Sequence, residues 1–104
     1  MLKSYTDPAF ADATGTATAA ISLGAETRRR HYLAGLHVSS NVTAAGIVRV
    51  QQGTTDVAVF DYYNSRDINF DPPMRFPNNT AAKVLVDPGV SGQVARLSIE
   101  SITI

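Results

Sequence analysis

Apolar and polar residues alternate along most of this chain, in short runs separated by turn-forming residues. A period of two places successive side chains on opposite faces of a strand, which is typical of a half-buried β-sheet. From Thr16 to the end, the pattern predicts about eight such strands and no helix. The predicted strands are residues 16–23, 31–39, 47–51, 57–63, 68–70, 74–76, 81–86 and 93–104.

Turn signals separate these strands. Gly53, in the segment 52–55, predicts a hairpin turn with a positive φ at the glycine. Pro72 and Pro73 cannot donate to a ladder, so we expect them to break pairing between the fifth and sixth strands. Short strands at a spacing near ten residues favour an all-β fold, a single jelly-roll-like β-sandwich of antiparallel strands.

The beginning of the chain has a different pattern. Tyr5 and Phe10 are large side chains among small and turn-forming residues. We interpret residues 1–15 as an extended N-terminal arm and residues 16–104 as the sandwich domain. The arm is either a frayed terminus or a docking segment that places Tyr5 and Phe10 on a neighbour.

The last predicted strand changes phase. Alternate residues of 95–99 are apolar on one face, but Ile102 and Ile104 have the opposite parity. An extra residue near Glu100 and Ser101, a β-bulge, would bring all of these side chains to one side. The alternative is a final stretch that is buried on both faces.

Composition and charge narrow the functional classes. The chain has 104 residues, nine basic and nine acidic, and a formal net charge of zero. Binding of nucleic acid through phosphate neutralisation is therefore not expected. Cysteine is absent, which excludes disulfides and thiolate metal sites. We find no apolar signal segment and no stretch long enough to span a bilayer, so we expect synthesis in a cytoplasm and no membrane partner.

Two histidines occur in the second predicted strand. His31 and His37 have the same parity and are separated by about 20 Å at the rise of an extended strand. One metal ion cannot join them. Strict alternation puts both on the polar face, opposite Tyr32 and Leu36, and predicts two surface histidines.

The segment 67–71 has the D-x-N-x-D pattern that opens an EF-hand calcium loop. Pro72 stands where that loop needs glycine, and Asn78 stands where it needs glutamate. We therefore expect no calcium site, and the three polar residues become the solvated side of a strand.

Two groups of residues are candidates for contact with a partner. Arg28, Arg29 and Arg30 form the densest charge cluster, which suits an acidic partner surface or else a solvated loop. Tyr62 and Tyr63 point to opposite faces, so one is expected in the core and the other is free to stack on a partner or a sugar. No serine lies in a nucleophile elbow. We expect no catalytic residue, no cofactor and no metal, and hence a protein that is not an enzyme.

Three segments carry a family resemblance. They are HYLAGLHVSSN at 31–41, VQQGTT at 50–55, and FDPPMR at 70–75 followed by NTAAKV at 79–84. Together they resemble small β-sandwich virion proteins of tailed bacteriophages, over roughly residues 25–94. The resemblance implies a capsid decoration or cement protein on the virion surface that binds the major capsid protein, often as a homotrimer. It implies no catalytic residues.

The leading hypothesis is therefore a structural capsid protein whose rigid sandwich presents a surface to its neighbours. An alternative is a carbohydrate- or receptor-binding module or adaptor of a virion fibre or tail, which would use Tyr62 or Tyr63.

Overall fold

The computed structural model describes residues 9–14, 19–41, 45–87 and 94–104, and for residues 9–14 it describes the backbone. These residues form eight β-strands and no helix, so the predicted all-β class is confirmed. Within these ranges there is no helix with the length and apolar character needed to cross a membrane. The strands are β1 (Ala9–Thr14), β2 (Ala19–Leu23), β3 (His31–Ser40), β4 (Ala45–Gln52), β5 (Thr55–Tyr63), β6 (Ser65–Arg75), β7 (Ala82–Asp87) and β8 (Val94–Thr103).

The strands form two antiparallel sheets joined at one corner. The hydrogen-bonded order is β1-β8-β3-β6-β5-β4-β7-β2, but β5 and β6 pair only at Tyr63 and Ser65. The molecule therefore divides into sheet I (β1-β8-β3-β6) and sheet II (β5-β4-β7-β2). This order is that of a jelly roll, in which two Greek keys wrap two facing sheets. The predicted jelly-roll-like sandwich is confirmed.

The core lies between the inner faces of the two sheets. Val38 and Leu97 of sheet I and Val48 and Val86 of sheet II are completely buried. β-Branched and other aliphatic side chains fit the pleated surface of a strand, and each contributes about 1.5–3 kcal/mol when fully buried. Phe76, which follows β6, is buried with them. Since the inner faces are fully occupied by packing, any contact with a partner falls to the outer faces and the edges.

The two prolines do not separate two strands, as the sequence predicts, but lie within one. β6 runs from Ser65 to Arg75, and the Asp71–Pro72 peptide bond is cis. The ladder between β3 and β6 pairs Gly35 with Asn69 and then Leu33 with Met74, so residues 70–73 have no partner in it. The prolines do stay out of the ladder, because they have no amide hydrogen to donate.

The chain also forms a strand that the sequence pattern does not predict. Residues 9–14, within the predicted arm, pair antiparallel with β8, from Ala9 opposite Ile99 to Thr14 opposite Val94. The backbone of Phe10 is opposite Ser98 in this register. The rest of the predicted arm, including Tyr5, lies outside the described residues.

A bulge in β3 changes which side chains face the core. Against β8 the pairs step from Leu33–Ser101 to Gly35–Glu100, so Ala34 is an extra residue in the central strand. Against β6 the same step leaves residues 70–73 of β6 unpaired. Before the bulge His31 and Leu33 are buried, and after it Leu36 and Val38 are buried. The prediction of strict alternation through β3 is therefore wrong, because one inserted residue reverses the parity of every side chain that precedes it.

Of the two interpretations of the last strand, the bulge is absent from β8. β8 alternates regularly, with Ser101 and Thr103 buried and Ile102 half-buried on the outer face. The irregularity lies in β3 instead, opposite this part of β8. The polar residues Ser101 and Thr103 are tolerated inside because they have hydrogen-bond partners; that of Thr103 is His31.

Candidate functional site

The outer face of sheet II carries exposed apolar side chains on its edge strand. Val57, Val59 and Tyr63 of β5 are 47%, 49% and 64% exposed, and we name these three residues the β5 patch. Behind them on the same face lie Ile47 and Leu85, which are half-buried. Charged residues alternate with these apolar ones across the face. Ile47 is opposite Asp61 of β5, and Arg49 lies between Val59 and Leu85.

Polar residues border the β5 patch and hold one another in place. Asp56 accepts hydrogen bonds from Arg49 Nη1 and from the Gln51 amide, each at 2.8 Å. The Gln51 hydrogen bond, together with that of Arg49, lowers the pKa of the Asp56 carboxyl. Ordered polar side chains beside exposed apolar ones are also found at the rim of protein interfaces.

An aromatic pair fills the opening between β5 and β6. The rings of Phe60 and Phe70 lie 6.0 Å apart at an interplanar angle of 54°, a tilted arrangement that aromatic pairs favour. The guanidinium of Arg66 lies 5.6 Å from the centre of the Phe60 ring and donates to the Asp61 carbonyl at 2.8 Å. Arg66 thus covers the rings and occupies part of the exposed edge of β5.

The two tyrosines separate as their parity predicts. Tyr62 is 3% exposed, and its ring packs so closely on Gly46 that a Cβ atom there would overlap it. The Tyr62 hydroxyl is buried without a hydrogen-bond partner, and burial, reinforced by the charge of Asp87, raises its pKa. Tyr62 is therefore a core residue, and Tyr63 is the member of the pair that can reach a partner.

The arginine triplet does not form one charged cluster. Arg29 makes an ion pair with Glu26 at 3.0 Å, and Arg30 donates to the Asn78 side chain at 3.3 Å. Arg28 is exposed and has a positive φ of 64°. These residues precede the start of β3, whereas Tyr63 lies beside its far end, where Ser40 donates to the Asn64 carbonyl. The ten residues of β3 separate the two groups by about 30 Å, so they are not a single site.

The histidines have different environments, which corrects the prediction that both lie on the surface. His31 is 3% exposed. Its Nε2 donates to the Gly24 carbonyl at 2.7 Å, and its Nδ1 is 2.8 Å from the Thr103 hydroxyl. His37 is exposed and its Nδ1 contacts a carboxylate oxygen of Asp67. The parity reversal at the β3 bulge is the reason for the difference.

Part of the outer face of sheet I is polar and contains a shallow hollow of about 390 Å³. Its side chains come from three neighbouring strands, and we name this site the polar hollow. Gly35 and His37 lie on the central strand β3, between β6 on one side and β8 on the other. The flanking polar residues are Asp67 and Asn69 of β6 and Ser98 and Glu100 of β8.

The sequence pattern does not predict the polar hollow as a site. The calcium-loop pattern includes Asp67 and Asn69, but Ser98 lies 31 residues after Asp67 and meets this part of β6 only through β3. The signal that could have found it is Gly35, a glycine in the middle of a strand, which often marks a bulge or a close backbone approach. Among the described residues, no three His, Cys, Asp or Glu side chains are grouped closely enough to hold a metal ion.

Comparisons with known proteins extend the description of the fold. No protein-family model matches this sequence, and no curated protein matches it significantly. The chain is similar to the insecticidal delta-endotoxin Cry8Ea1 of Bacillus thuringiensis, with 14% identity, a TM-score of 0.55 and coverage of 89% of this chain and 19% of the toxin. At this identity the likeness shows a shared fold, over about one fifth of the length of the toxin.

Two further solved structures are similar at lower TM-scores. One is the CBM36-1 domain of a xylanase from the hindgut metagenome of Trinervitermes trinervoides, with 14% identity, a TM-score of 0.45 and coverage of 86% of this chain and 70% of the domain. The other is the extra small virus of Macrobrachium rosenbergii, seen as a virus-like particle, with 9% identity, a TM-score of 0.38 and coverage of 99% and 80%.

Proposed function

We propose that this chain is a non-enzymatic structural protein of a phage virion, a decoration or cement protein that binds the major capsid protein and stabilises the head. The β5 patch is the observation that carries the proposal. The resemblance of residues 25–94 to small virion proteins supports the same class of function.

The β5 patch has the properties of a protein interface. Val57 and Val59 are neighbours on one edge strand, and Tyr63 lies beyond Asp61 on the same face. Ile47 and Leu85 are half-buried apolar side chains elsewhere on this face. Several exposed apolar side chains on one face favour a binding site, and burial of apolar surface contributes about 25 cal/mol per Å². Tyrosine is also among the residues that contribute most to binding at interfaces. Docking through this face would remove the least soluble part of the molecule from water.

The scaffold suits a protein that has to hold one shape while it bridges neighbours. The β5 patch lies on strands whose inner residues, such as Val48 and Val50, are completely buried. A surface that is formed before binding needs little ordering when it docks, which favours affinity. Arg49 is held by Asp56 at 2.8 Å and is therefore also fixed in advance.

A capsid offers many equivalent sites, so a modest contact is sufficient. If the protein is a homo-oligomer, and the resemblance implies a trimer, each copy adds its β5 patch to the same attachment. Linked binding sites raise the overall affinity by orders of magnitude without new contacts. The location that follows is the outer surface of the capsid.

Substitutions in the β5 patch test the proposal. The double variant Val59→Lys, Tyr63→Ala removes two exposed apolar groups. Both side chains lie outside the core, so the fold should be retained. We expect binding to capsids that lack the protein, measured by co-sedimentation, to weaken at least about tenfold. Truncation of an interface tyrosine commonly costs more than about 1 kcal/mol, and the lysine places an unpaired charge in the contact.

The matched control is Ser22→Lys, an exposed position at the opposite edge of the same sheet. It should bind like the unmodified protein. Equal binding by the double variant and the control would contradict the docking role of the β5 patch.

A second candidate function uses the same exposed tyrosine. Tyr63 is 64% exposed and could stack on a sugar ring, as expected of a carbohydrate- or receptor-binding module of a fibre or tail. Binding of glycans that is lost in Tyr63→Ala, with no binding to capsids, would favour this function over the first.

A further inference from the structure

The polar hollow exists because the central strand of sheet I lacks a side chain at one position. Gly35 lies between Asn69 on β6 and Glu100 on β8 in the two registers. A Cβ atom on Gly35 would lie 3.1 Å from the Ile68 carbonyl oxygen and 3.2 Å from Asn69 Oδ1, so even alanine would crowd the floor. The β3 bulge immediately precedes this glycine and increases the local twist of the strand.

The groups around the hollow include both donors and acceptors of hydrogen bonds. His37 contacts Asp67 through Nδ1, and its Nε2 is the second ring nitrogen that can make a hydrogen bond. Asn69 offers an amide, Ser98 a hydroxyl and Glu100 a carboxylate. Within the described part of the chain, the side chains of Asn69, Ser98 and Glu100 make no hydrogen bond to other residues. All of their donors and acceptors can therefore bind a ligand.

The character of these groups narrows the class of ligand. Asp67 and Glu100 would repel a phosphate or a carboxylate, and among the residues that the structure describes no lysine or arginine lines the hollow to oppose them. A purely apolar ligand would leave the carboxylates and the amide without partners, at a cost of about 1–3 kcal/mol for each buried group. A metal ion is not favoured, because no three suitable ligands are grouped among the described residues. A neutral ligand with several hydroxyl groups satisfies both donors and acceptors.

The spacing of the strands matches one ring-shaped ligand. Neighbouring strands lie about 4.8 Å apart, so β6 and β8 stand about 10 Å from each other across β3. A single pyranose ring above Gly35 can direct hydroxyl groups to Asn69 on one side and Glu100 on the other. We propose that the polar hollow binds one neutral sugar residue, on the face of the molecule opposite the β5 patch. This goes beyond the capsid-docking function, because a docked protein would still present the hollow to the surroundings.

The test is a titration of the full-length, isotope-labelled protein with methyl glycosides of common neutral hexoses and N-acetylhexosamines, followed by NMR. We expect saturable shifts of the amide signals of Gly35 and His37 with at least one glycoside. Asn69→Ala and Glu100→Ala should each weaken that binding at least about threefold, which is the effect of one lost hydrogen bond. Gly35→Ala should abolish it by filling the floor.

Two controls distinguish a sugar site from a cation site and from a disrupted sheet face. Ser65→Ala, on the same face of β6 but outside the hollow, should bind as tightly as the unmodified protein and confirms that the face is intact. Free L-arginine amide serves as a cationic probe of the two carboxylates. The proposal is overturned if no glycoside gives saturable shifts up to tens of millimolar, if only the arginine probe binds, or if the hollow variants bind sugars unchanged. Capsid binding of the same variants should not change, so this result is independent of the docking proposal.

Discussion

His31 connects three separate parts of the chain through a single buried ring. It joins the loop after β2, through the Gly24 carbonyl, to the end of β8, through Thr103. Both contacts lie in a region where few waters can replace them, because the side chain is 3% exposed. A residue that alternation alone places on the surface is therefore part of the structural core.

Replacement of His31 should destabilise the fold. In His31→Leu the Gly24 carbonyl and the Thr103 hydroxyl lose their partner, and each unsatisfied buried group costs about 1–3 kcal/mol. We expect urea denaturation to show a loss of about 2–4 kcal/mol, whereas His37→Leu at the exposed position should change stability by less than about 0.5 kcal/mol. Similar effects for the two variants would contradict the assignment.

Tyr62 should limit stability at high pH. Its pKa is raised in the folded state, because the folded protein favours the neutral hydroxyl. The contribution of this preference to the free energy of unfolding is fully present below the unfolded pKa of about 10, and it is lost as the pH rises through the folded pKa. Tyr62→Phe removes this loss, and it also removes a buried hydroxyl without a partner.

At pH 7 we therefore expect Tyr62→Phe to be as stable as the unmodified protein, within about 1 kcal/mol, or more stable. Between pH 9 and 11, urea midpoints should fall less steeply in the variant. An identical pH dependence in both proteins would show that Tyr62 does not carry the effect.

At the scale of strands, the local pattern predicts where most strands lie but not which strand carries a bulge. β2, β4, β5, β7 and β8 lie within a few residues of their predicted limits, because alternation with one buried face is a local signal. The β3 bulge is not local, since Ala34 becomes the extra residue only through the register of β3 with β8. The pattern does not predict β1, because its pairing with β8 depends on residues at the other end of the chain.

The packing of β4 on β5 can be tested at two glycines. Gly46 on β4 has no space for a Cβ atom against the Tyr62 ring, whereas Gly24 has open space around it. Gly46→Ala should cost about 1–3 kcal/mol through overpacking, and Gly24→Ala should be close to neutral. Thermal unfolding of both variants measures the difference, and equal midpoints would mean that β4 and β5 are not packed this closely.

At the scale of the whole molecule, the two outer faces have different chemistry. Sheet II presents the β5 patch with Ile47 and Leu85 behind it, and sheet I presents the polar hollow around Gly35. Alternation in the sequence predicts two solvated outer faces but not this asymmetry, because the outer residues of four strands have to be assembled before either surface exists. The exposure of Tyr63 follows from its position in the alternating pattern. That Val57 and Val59 are exposed on the same face depends on the position of β5 at the edge of the sheet, which the pattern does not predict.

Under the proposed capsid function, the β5 patch would face the capsid and the polar hollow would face away from it. A reconstruction of intact particles at side-chain resolution tests that orientation most directly. We expect Val59 and Tyr63 to be buried against the major capsid protein and the polar hollow to face outwards. A bound protein whose β5 patch remains in contact with solvent would contradict the account.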